Sequence, residues 1–467
     1  MSTPLPAVET TPIPGLLVVR LDLRTDARGF FKENWQREKM VAAGLPDFGP
    51  VQNNVSFNTD RGVTRGIHTE PWDKFISLAT GRIFAAWVDM REGDSFGATF
   101  TLEMDPSVAA FVPRGVGNSY QTLTDGTAYT YLVNQHWRAG IAYPALALDD
   151  PTVAIDWPIP LSESEISEKD QHNPHLDPAT AIPRQRTLVL GGAGQLGRAL
   201  AAEFPDAQVV TRAELDVSDA EAVAAWDWRA YDVVLNAAAY TAVDAAETPD
   251  GRRVAWAANA VAPARLAELS REHGFTLVHY SSDYVFDGAD DAPADGWTEE
   301  SPLSPLGVYG QSKAAGDLAV AAAPHHFVVR TSWVVGEGSN FVATMSRLAA
   351  KGLEPSVVDD QVGRLTFTGE LARATRHLLE SGAPWGTYNV TNSGPQHSWY
   401  DVARDVFALV GADPERISPT TTEAYVGDRT DLSPRPSRSL LDLSRLAATG
   451  FVSEDAATAL RRHLTVA

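Results

Sequence analysis

A glycine-rich segment near the middle of the chain constrains the fold most strongly. Residues 187–200 are an apolar strand, Thr-Leu-Val-Leu, that turns through Gly191, Gly194 and Gly197 into an amphipathic helical stretch over 196–203. This glycine spacing allows a tight turn, close approach of a pyrophosphate to the backbone amides, and packing of the helix on the strand. An ordinary strand–turn–helix is the alternative interpretation. Because such a fingerprint normally opens a domain, we expect a complete domain before residue 187.

Length, charge and composition limit the classes of protein to consider. A chain of 467 residues holds two or three domains of roughly 100–200 residues, and the fingerprint favours two. The net charge of −22 argues against a nucleic-acid partner. Without cysteine there are no disulfides, thiolate metal sites or cysteine nucleophiles. No signal-peptide pattern or membrane-length apolar run occurs, so we expect a cytoplasmic enzyme with no membrane partner.

Residues 1–174 are predicted to form an all-β cupin or jelly-roll domain, followed by a proline-rich linker over 175–186. Short segments rich in β-branched and aromatic residues alternate with turns, and helical periodicity is limited to 35–43. The predicted strands are 16–23, 62–67, 75–78, 83–90, 99–104, 109–112 and 128–133. His68 lacks the His-x-His pairing of metal-binding cupins, so we expect no metal there.

Residues 187–467 are predicted to form an α/β Rossmann domain with a small substrate-capping lobe from about 335 onward. Strands and helices alternate, as a parallel doubly wound sheet requires. Predicted strands follow the first at 208–211, 232–237, 276–281 and 326–331, and helices at 219–226, 255–273 and 313–322. Ligands of such sheets bind at the carboxyl ends of the strands, where chemically active residues should gather.

Those strand ends contain a catalytic pattern. Tyr309 and Lys313 lie four residues apart, on one face of a predicted helix. The ammonium group can lower the phenol pKa there, and the tyrosine can then protonate an alkoxide as a hydride arrives. Arg212 follows the second strand, where a cation favours the 2′-phosphate of NADPH, although Asp216 is nearby and NADH stays open. The predicted cofactor contacts are Gly191, Gly194, Gln195, Leu196, Gly197, Arg212, Asp216, Ala237, Ala238, Ala239, Tyr309 and Lys313.

Six ordered motifs in the first half resemble the dTDP-4-dehydrorhamnose 3,5-epimerase family of RmlC-like cupins. They are 26–33, 52–56, 63–68, 88–92 with 96–97, 112–116 and 155–158. The resemblance implies that His68 is a general base, Tyr131 is the acid on the opposite face, and Asp170 orients the histidine. A core position is the alternative interpretation of Tyr131, because an inward tyrosine on an alternating strand is often a core residue and Tyr129 lies on the same face.

The same resemblance implies a set of substrate contacts and shows departures from the family. The implied contacts are Arg28, Glu33, Gln52, Asn54, Arg65 and Lys74, of which the last two would hold an enolate oxygen. Asn118 stands where a histidine is common, and Trp137 replaces a tyrosine that faces the sugar. These departures leave open a cupin that is only a scaffold.

The second half resembles dTDP-4-dehydrorhamnose reductases, the RmlD-like extended short-chain dehydrogenases. The motifs are 236–247, 281–288, 309–313, 330–333, 361–366, 398–400 and 435–439. The resemblance implies that Tyr309 is the proton donor, Lys313 its electrostatic partner, and Ser282 the hydroxyl that binds the sugar carbonyl. Implied substrate contacts are Asp283, Tyr284, Trp333 and Arg435. Some family members are linked to Mg²⁺, which stays open, although no carboxylate cluster marks a site.

Together the resemblances imply a bifunctional enzyme that epimerises and then reduces a dTDP-sugar, with NADPH as cofactor and a homodimer formed through the cupin domain. A reductase with an inactive cupin, or a nucleotide-binding regulatory module, are the alternatives. Retention of Tyr309 and Lys313 argues against the regulatory module.

Overall fold

The computed structural model describes residues 5–137, 143–183, 186–289 and 293–466. The chain separates into two compact units, residues 1–184 and 185–467. This division falls inside the predicted linker, of which residues 184 and 185 lie outside the described part. Leu176 and Ile182 pack against the core of the first unit, and the Ile182 amide donates to the Met90 carbonyl at 2.7 Å. The first unit therefore retains contacts well into the segment predicted as linker.

The first unit is almost entirely β-structure. Its elements are β1 Ala7–Thr10, β2 Leu17–Arg20, β3 Arg24–Asp26, β4 Gly29–Phe31, α1 Arg37–Ala42, β5 Gln52–Asn58, β6 Thr64–His68, β7 Lys74–Thr80, β8 Ile83–Asp89, β9 Thr99–Met104, β10 Val108–Val112, β11 Val116–Thr122, β12 Thr127–Val133 and β13 Ala145–Leu146. Two antiparallel sheets form, in the orders β1-β2-β10-β7-β12-β5 and β13-β6-β11-β8-β9.

The core of this unit lies between the two sheets. Ile76 of β7 and Tyr129 of β12 pack with Trp87 of β8 and Tyr120 of β11 in one buried cluster. Trp87 is 0 % exposed, and burial of a large apolar side chain contributes about 1.5–3 kcal/mol. Inward-facing side chains from alternating strand positions build this core, as the predicted jelly roll requires.

Several strands of this unit were not predicted, and two of them, β11 and β5, contain residues predicted to contact the substrate. In β11 every residue is buried, including Asn118 and Gln121, so the strand shows no apolar–polar alternation. Gln121 is satisfied by donating to Thr64 Oγ1 at 3.0 Å and to the Ile159 carbonyl at 2.9 Å. The other strand, β5, has a polar sequence and exposes its apolar residues Val55 and Phe57. Neither strand has the alternation of buried apolar and exposed polar residues by which a strand is recognised in a sequence.

The second unit alternates strands and helices before it breaks into short elements. They are β14 Arg186–Leu190, α2 Gln195–Glu203, β15 Gln208–Val210, α3 Ala220–Ala225, β16 Tyr231–Asn236, α4 Pro249–Trp256, α5 Ala262–His273, β17 Thr276–Tyr280, α6 Val308–Val320, β18 His326–Arg330, β19 Val334–Val335, α7 Phe341–Ala350, β20 Ser356–Val358, β21 Val362–Gly363, β22 Thr366–Phe367, α8 Thr368–Glu380, β23 Gly386–Asn389, β24 His397–Ser398, α9 Trp399–Leu409, β25 Ser418–Thr420, α10 Thr422–Val426, α11 Ser444–Ala448 and α12 Ala456–Val466.

Six of these strands form one parallel sheet in the order β15-β14-β16-β17-β18-β23. Core clusters built from both sheet and helix residues surround it. Short strand pairs and a separate cluster that includes Val335, Val342 and Phe407 lie after residue 335. The predicted lobe does not take up the whole C-terminal segment, because β23 pairs with β18 in the main sheet and Leu371 of α8 packs in its core. The predicted helix over 255–273 is divided by a π-helical turn, Ala257–Val261. The two predicted fold classes are confirmed.

Within the described ranges, no helix combines the length and apolar character needed to cross a bilayer. The cytoplasmic location expected from the sequence stays a prediction.

Candidate active sites

In the first unit, His68 and Asp170 form a hydrogen-bonded pair. His68 is the last residue of β6, and its Nε2 lies 2.7 Å from Asp170 Oδ1. Asp170 Oδ2 accepts the Gly66 amide at 3.1 Å. Burial alone would raise the pKa of Asp170, but its hydrogen bond with His68, the histidine charge, and the bonds from Ser167 and Gly66 bring that pKa below its usual value. With a proton on Nε2 facing this carboxylate, Nδ1 keeps a lone pair for proton abstraction.

Gly66 is a site residue that the sequence interpretation did not single out. A Cβ atom on Gly66 would lie 2.4 Å from Asp170 Oδ1 and 2.7 Å from His68 Nε2. Only glycine therefore lets the carboxylate approach both the backbone amide and the imidazole. The signal was present in the sequence, since Gly66 stands two residues before the histidine.

Tyr131 faces the edge of the core on β12, where its ring centroid lies 5.6 Å from Lys74 Nζ. Burial raises the pKa of Tyr131, and the nearby Tyr143 and Tyr120 add to the effect while Arg65 opposes it. The phenol therefore stays protonated and able to donate. Tyr129, in contrast, is 3 % exposed, and its hydroxyl accepts a hydrogen bond from Asn118 Nδ2 at 3.2 Å. Of the two tyrosines, Tyr129 occupies the core position.

Tyr143 is a second residue that sequence reasoning missed. Its ring centroid lies 5.9 Å from that of His68, and Lys169 Nζ lies 5.8 Å from the Tyr143 ring centroid. Burial, and secondly the charge of Asp170, raise the pKa of Tyr143. No motif marked this tyrosine, which comes near His68 because Ala145 pairs with His68 across β13 and β6.

The cationic residues predicted to hold the enolate have different surroundings. Lys74 is 6 % exposed and forms an ion pair with Glu70. Burial lowers the pKa of Lys74, and the contacting carboxylate acts in the opposite direction. Arg65 is exposed on β6 and donates to Ser56 Oγ at 3.2 Å and to Asn58 Oδ1 at 3.1 Å.

The remaining predicted contacts of this unit fall into two groups. Gln52 joins Asn54 and Trp137, because its Nε2 donates to Asn54 Oδ1 at 2.8 Å and its Oε1 accepts the Trp137 amide at 3.0 Å. Trp137 is 56 % exposed. Arg28 and Glu33 instead pair with Asp26 and Lys39, and no described contact links either residue to His68.

In the second unit, the glycine turn has the geometry expected of a dinucleotide site. Gly191 has a φ of 79°, and a Cβ there would lie 2.7 Å from the Ala238 amide nitrogen. A Cβ on Gly197 would lie 2.2 Å from the Gly191 carbonyl oxygen. Helix α2 starts at Gln195, and no side chain caps its N-terminus at Gly194. Its first amides are thus available to a pyrophosphate, so these residues fit NADPH.

The other predicted cofactor residues surround this turn. Ala237 follows β16, and its amide donates to the Leu190 carbonyl at 3.1 Å, which places 237–239 beside the glycine turn. Gln195 directs its side chain elsewhere, accepting the Gly336 amide at 2.9 Å and donating to the Ser339 carbonyl at 3.1 Å. Arg212 Nε donates to Asp216 at 2.9 Å, and the Arg212 side chain is 78 % exposed.

The predicted catalytic residues of the second unit lie in two places. Ser282 follows the carboxyl end of β17, and Tyr309 and Lys313 lie in the first turns of α6. Ser282 Oγ donates to Asp283 Oδ1 at 2.8 Å and accepts the Tyr284 amide at 3.2 Å. Ser282 lies close enough to Tyr309 to oppose the rise in its pKa, and the ring of Tyr284 meets that of Tyr309 edge-on with centroids 5.4 Å apart.

The sequence predicted that Lys313 lowers the pKa of Tyr309, but in the structure the pKa of Tyr309 is raised. Burial raises that pKa, and the charge of Asp283 adds to the rise while Ser282 opposes it. Lys313 is 1 % exposed, and its Nζ donates to the Tyr280 carbonyl. Burial lowers the pKa of Lys313 to about 8, with Asp317 opposing. The Tyr309 phenol therefore stays protonated at neutral pH.

Two predicted sugar contacts have distinctive environments. Arg435 pairs with Asp244 at 3.0 Å, and it opposes the rise in the pKa of Tyr284 that burial causes. Trp333 has a φ of 46°, an unusual backbone conformation for a bulky residue. In the described part of the chain, no three His, Asp or Glu side chains group as a metal site would require, so a residue set for Mg²⁺ is not found.

Comparisons with known proteins agree with this division into two sites. A family described as dTDP-4-dehydrorhamnose 3,5-epimerase matches residues 10–178, and one described as RmlD substrate binding domain matches residues 185–466. Relatives match each half separately. A Protein RmlC homolog from Streptococcus pyogenes is 44% identical over 180 residues, which are 37% of this chain and 90% of the relative.

The second half has relatives of known structure. A dTDP-4-dehydrorhamnose reductase from Mycolicibacterium smegmatis is 39% identical over 291 residues, covering 61% of this chain and 86% of the relative. The structure of a dTDP-4-dehydrorhamnose reductase from Bacillus anthracis in complex with NADP is 31% identical, with a TM-score of 0.54, and covers 60% of this chain and 99% of that one. The chain therefore belongs to the dTDP-4-dehydrorhamnose 3,5-epimerase family in its first half and to the dTDP-4-dehydrorhamnose reductase family in its second.

Proposed function

We propose that this chain is a bifunctional enzyme of dTDP-L-rhamnose synthesis. Its first unit epimerises dTDP-4-dehydro-6-deoxy-D-glucose at C3 and C5, and its second reduces the C4 ketone with NADPH. The observation that supports this most directly is the presence of both acid–base groups in one chain: His68 hydrogen-bonded to Asp170, and Tyr309 beside Ser282.

The epimerase step needs a base, an acid and a cation. The 4-keto group acidifies the protons at C3 and C5, because the resulting carbanion delocalises into an enolate. His68 removes the proton through Nδ1, and Asp170 stabilises the imidazolium that forms. Tyr131 returns a proton to the opposite face, and its raised pKa keeps that proton available. Lys74 and Arg65 offset the charge on the enolate oxygen.

The reductase step uses Tyr309 as its acid. NADPH, when bound at the glycine turn, supplies the hydride for C4. Ser282 donates a hydrogen bond to the C4 carbonyl, and Tyr309 protonates the oxygen as negative charge develops there. Burial, and not Lys313, sets the direction of the Tyr309 pKa before substrate binds. The Lys313 ammonium is proposed to act only later, by offsetting the negative charge left on the phenol when it has given up its proton. Tyr284, Asp283, Trp333 and Arg435 are proposed to contact the sugar nucleotide.

The test is turnover of the unepimerised keto sugar by the purified chain alone. We expect NADPH consumption without any added epimerase. Absence of consumption would overturn the bifunctional proposal. Solvent deuterium incorporation at C3 and C5 without NADPH separates the proposal from an inactive cupin scaffold, which the departures at Asn118 and Trp137 would favour.

We also propose a homodimer formed through the first unit. Strand β5 lies at the edge of its sheet, and Val55 and Phe57 on it are 67% and 64% exposed. An exposed edge with apolar side chains is a surface that proteins normally cover. Light scattering should give twice the chain mass for the wild type, and Phe57→Lys should shift it towards the monomer. A monomeric wild type would contradict this arrangement.

A further inference from the structure

Trp333 is held in a conformation that its neighbours impose. Among the described non-glycine residues, only Trp333 and Ala154 have positive φ. Bulky residues adopt this region only when the surrounding structure over-determines them, and such residues cluster at functional sites. The backbone is fixed on both sides, because Ser332 Oγ donates to the Arg364 carbonyl at 2.9 Å and the Thr366 amide donates to the Trp333 carbonyl at 3.1 Å.

The indole of Trp333 is equally constrained. Its ring stacks on that of Trp399, with centroids 3.7 Å apart and an interplanar angle of 14°. Trp399 is itself packed against Phe341, with centroids 4.5 Å apart. It is the first residue of α9, and the start of that helix is fixed by a capping box between Ser398 and Asp401. The ring under Trp333 therefore has little freedom to move.

Gly363 is the other neighbour of the indole. A Cβ on Gly363 would lie 2.8 Å from Trp333 Cε2, 3.0 Å from Cζ2 and 3.1 Å from Nε1. Gly363 also pairs with His397 across β21 and β24, two residues before Trp399. One small strand pair thus positions two of the groups that contact the Trp333 ring.

The location of this cluster connects it to the reaction. Trp333 follows β18, at the carboxyl edge of the parallel sheet. The Asp283 amide donates to the Thr331 carbonyl at 2.8 Å, which ties the segment before Trp333 to the residues that hold Ser282. A shift of the Trp333 ring would therefore be transmitted to the proposed sugar side of the site through the segment that contacts Asp283.

We propose that Trp399 and Gly363 are positioning residues of the reductase, which fix the Trp333 ring as a preset apolar wall for the deoxysugar. This inference rests on the proposed function. The apolar face of a 6-deoxysugar, with its methyl group and C–H bonds, is the chemistry that such a rigid indole surface would recognise. Because the wall is already formed, the sugar need not order the indole upon binding.

The test uses Gly363→Ala and Trp399→Leu, with Trp399→Phe as the conservative variant. We expect the first two to raise KM for the 4-keto sugar about 10-fold while KM for NADPH stays within about 2-fold, since remote binding contacts act on the sugar alone. Trp399→Phe should restore KM to within about 3-fold of wild type, because a ring remains to stack. Gly369→Ala is the matched control, since a Cβ on Gly369 meets nothing within 4 Å.

A spectroscopic signal reports the geometry independently of turnover. Two stacked indoles give a coupled circular dichroism band, which Trp399→Leu and Trp399→Phe should abolish and Gly363→Ala should diminish. Trp385→Phe, in a tryptophan that contacts Phe327 instead, should leave the band intact. Unchanged sugar KM in both Gly363→Ala and Trp399→Leu, in an active enzyme, would overturn the positioning role alone. A wild type without NADPH oxidation would overturn the proposed function, and this role with it.

Discussion

Asp170 in the first unit and Asp283 in the second each lie beside a proposed catalytic residue, yet their surroundings act in opposite directions. Both are nearly buried, at 7 % and 2 % exposed. Asp170 receives hydrogen bonds from His68 and Gly66 that outweigh its burial and lower its pKa. For Asp283, burial dominates over the bonds from Ser439 and Ser282 and raises its pKa to about 6.

The comparison shows that the partners of a buried carboxylate decide its effect more than burial itself. Asp170 stabilises a developing positive charge on histidine, so it has to stay ionised. Asp283 adjoins an acid, Tyr309, whose pKa its charge raises.

Because the pKa of each carboxylate differs between the folded and unfolded states, each one makes the free energy of unfolding depend on pH. The Asp170 contribution is present at neutral pH and lost as pH falls through its lowered pKa. The folded state binds a proton at Asp283 more readily than the unfolded state does. The stability that protonated Asp283 contributes is therefore lost as pH rises through about 6.

The largest expected effect separates the two sites completely. His68→Asn should reduce deuterium exchange at C3 and C5 at least about 100-fold, and Tyr309→Phe should reduce NADPH oxidation by a similar factor, the usual scale for a general base or acid. Each variant should retain the other activity, because the groups lie in different compact units. Exchange is measured by mass spectrometry, and reduction by NADPH absorbance with pre-epimerised sugar.

Mixing the two variants provides the control. Neither alone should form dTDP-L-rhamnose from the unepimerised sugar, whereas the mixture should, provided that the intermediate can leave one chain and enter another. Wild-type exchange by His68→Asn would show that the base is misassigned and direct attention to Tyr131.

A smaller effect tests the role of the first carboxylate. Asp170→Asn should slow exchange about 10–100-fold, because the imidazolium loses its counter-charge while the base itself remains. The matched control is Asp150→Asn, since Asp150 is 1 % exposed and accepts the amides of Thr152, Val153 and Leu176. That variant should lose stability but keep the exchange rate per folded molecule. Equal losses of exchange in both variants would indicate a structural role only.

Replacement of Asp283 should stabilise the protein at neutral pH, whereas replacement of Asp170 removes a stabilising charge. Asp283→Asn removes a charge that burial disfavours, so the free energy of unfolding should rise at pH 7 by about 1–3 kcal/mol. The gain should shrink as pH falls through 6 towards 4, where Asp283 is protonated. Urea unfolding measures this free energy. The transition of the second unit is identified as the one that added NADPH moves to higher urea concentration, because a ligand stabilises the unit that binds it.

Asp287 provides a control for the Asp283 prediction. Asp287 accepts hydrogen bonds from Ser304 and the Ala289 amide, and they lower its pKa. Asp287→Asn should therefore destabilise the second unit at pH 7. A stability gain in Asp287→Asn, or a loss in Asp283→Asn, would contradict the contrast between hydrogen bonding and burial.

The smallest effect concerns cofactor choice, for which the first unit has no counterpart. Arg212→Ala should raise KM for NADPH about 3–10-fold and leave KM for NADH nearly unchanged, because an exposed charge–charge contact contributes little. The exposed Arg253, which pairs with Asp250 on α4, is the control, and Arg253→Ala should change neither constant. Equal KM changes for both cofactors would remove Arg212 from 2′-phosphate recognition.

Local sequence was enough where the chemistry depends on short spacing. Gly191, Gly194 and Gly197 predicted the turn because their spacing is itself a local pattern, and a Cβ on Gly197 would lie 2.2 Å from the Gly191 carbonyl oxygen, six residues away. Tyr309 and Lys313 share a helix, so their separation in sequence fixes their shared face. In contrast, β11 escaped prediction because its polar residues are satisfied by partners from distant segments, such as Ile159 with Gln121.

The sequence by itself determined the two-part organisation, the fold classes and most candidate site residues, because periodicity, glycine spacing and motif order are local properties. Only the tertiary structure placed Tyr143 beside His68, brought Gly66 against Asp170, and stacked Trp333 on Trp399. It also decided the protonation tendencies, since the pKa of Tyr309 rises where Lys313 alone predicted a fall. The reason is physical: burial and hydrogen-bond partners depend on which distant segments meet, and a pKa depends on both.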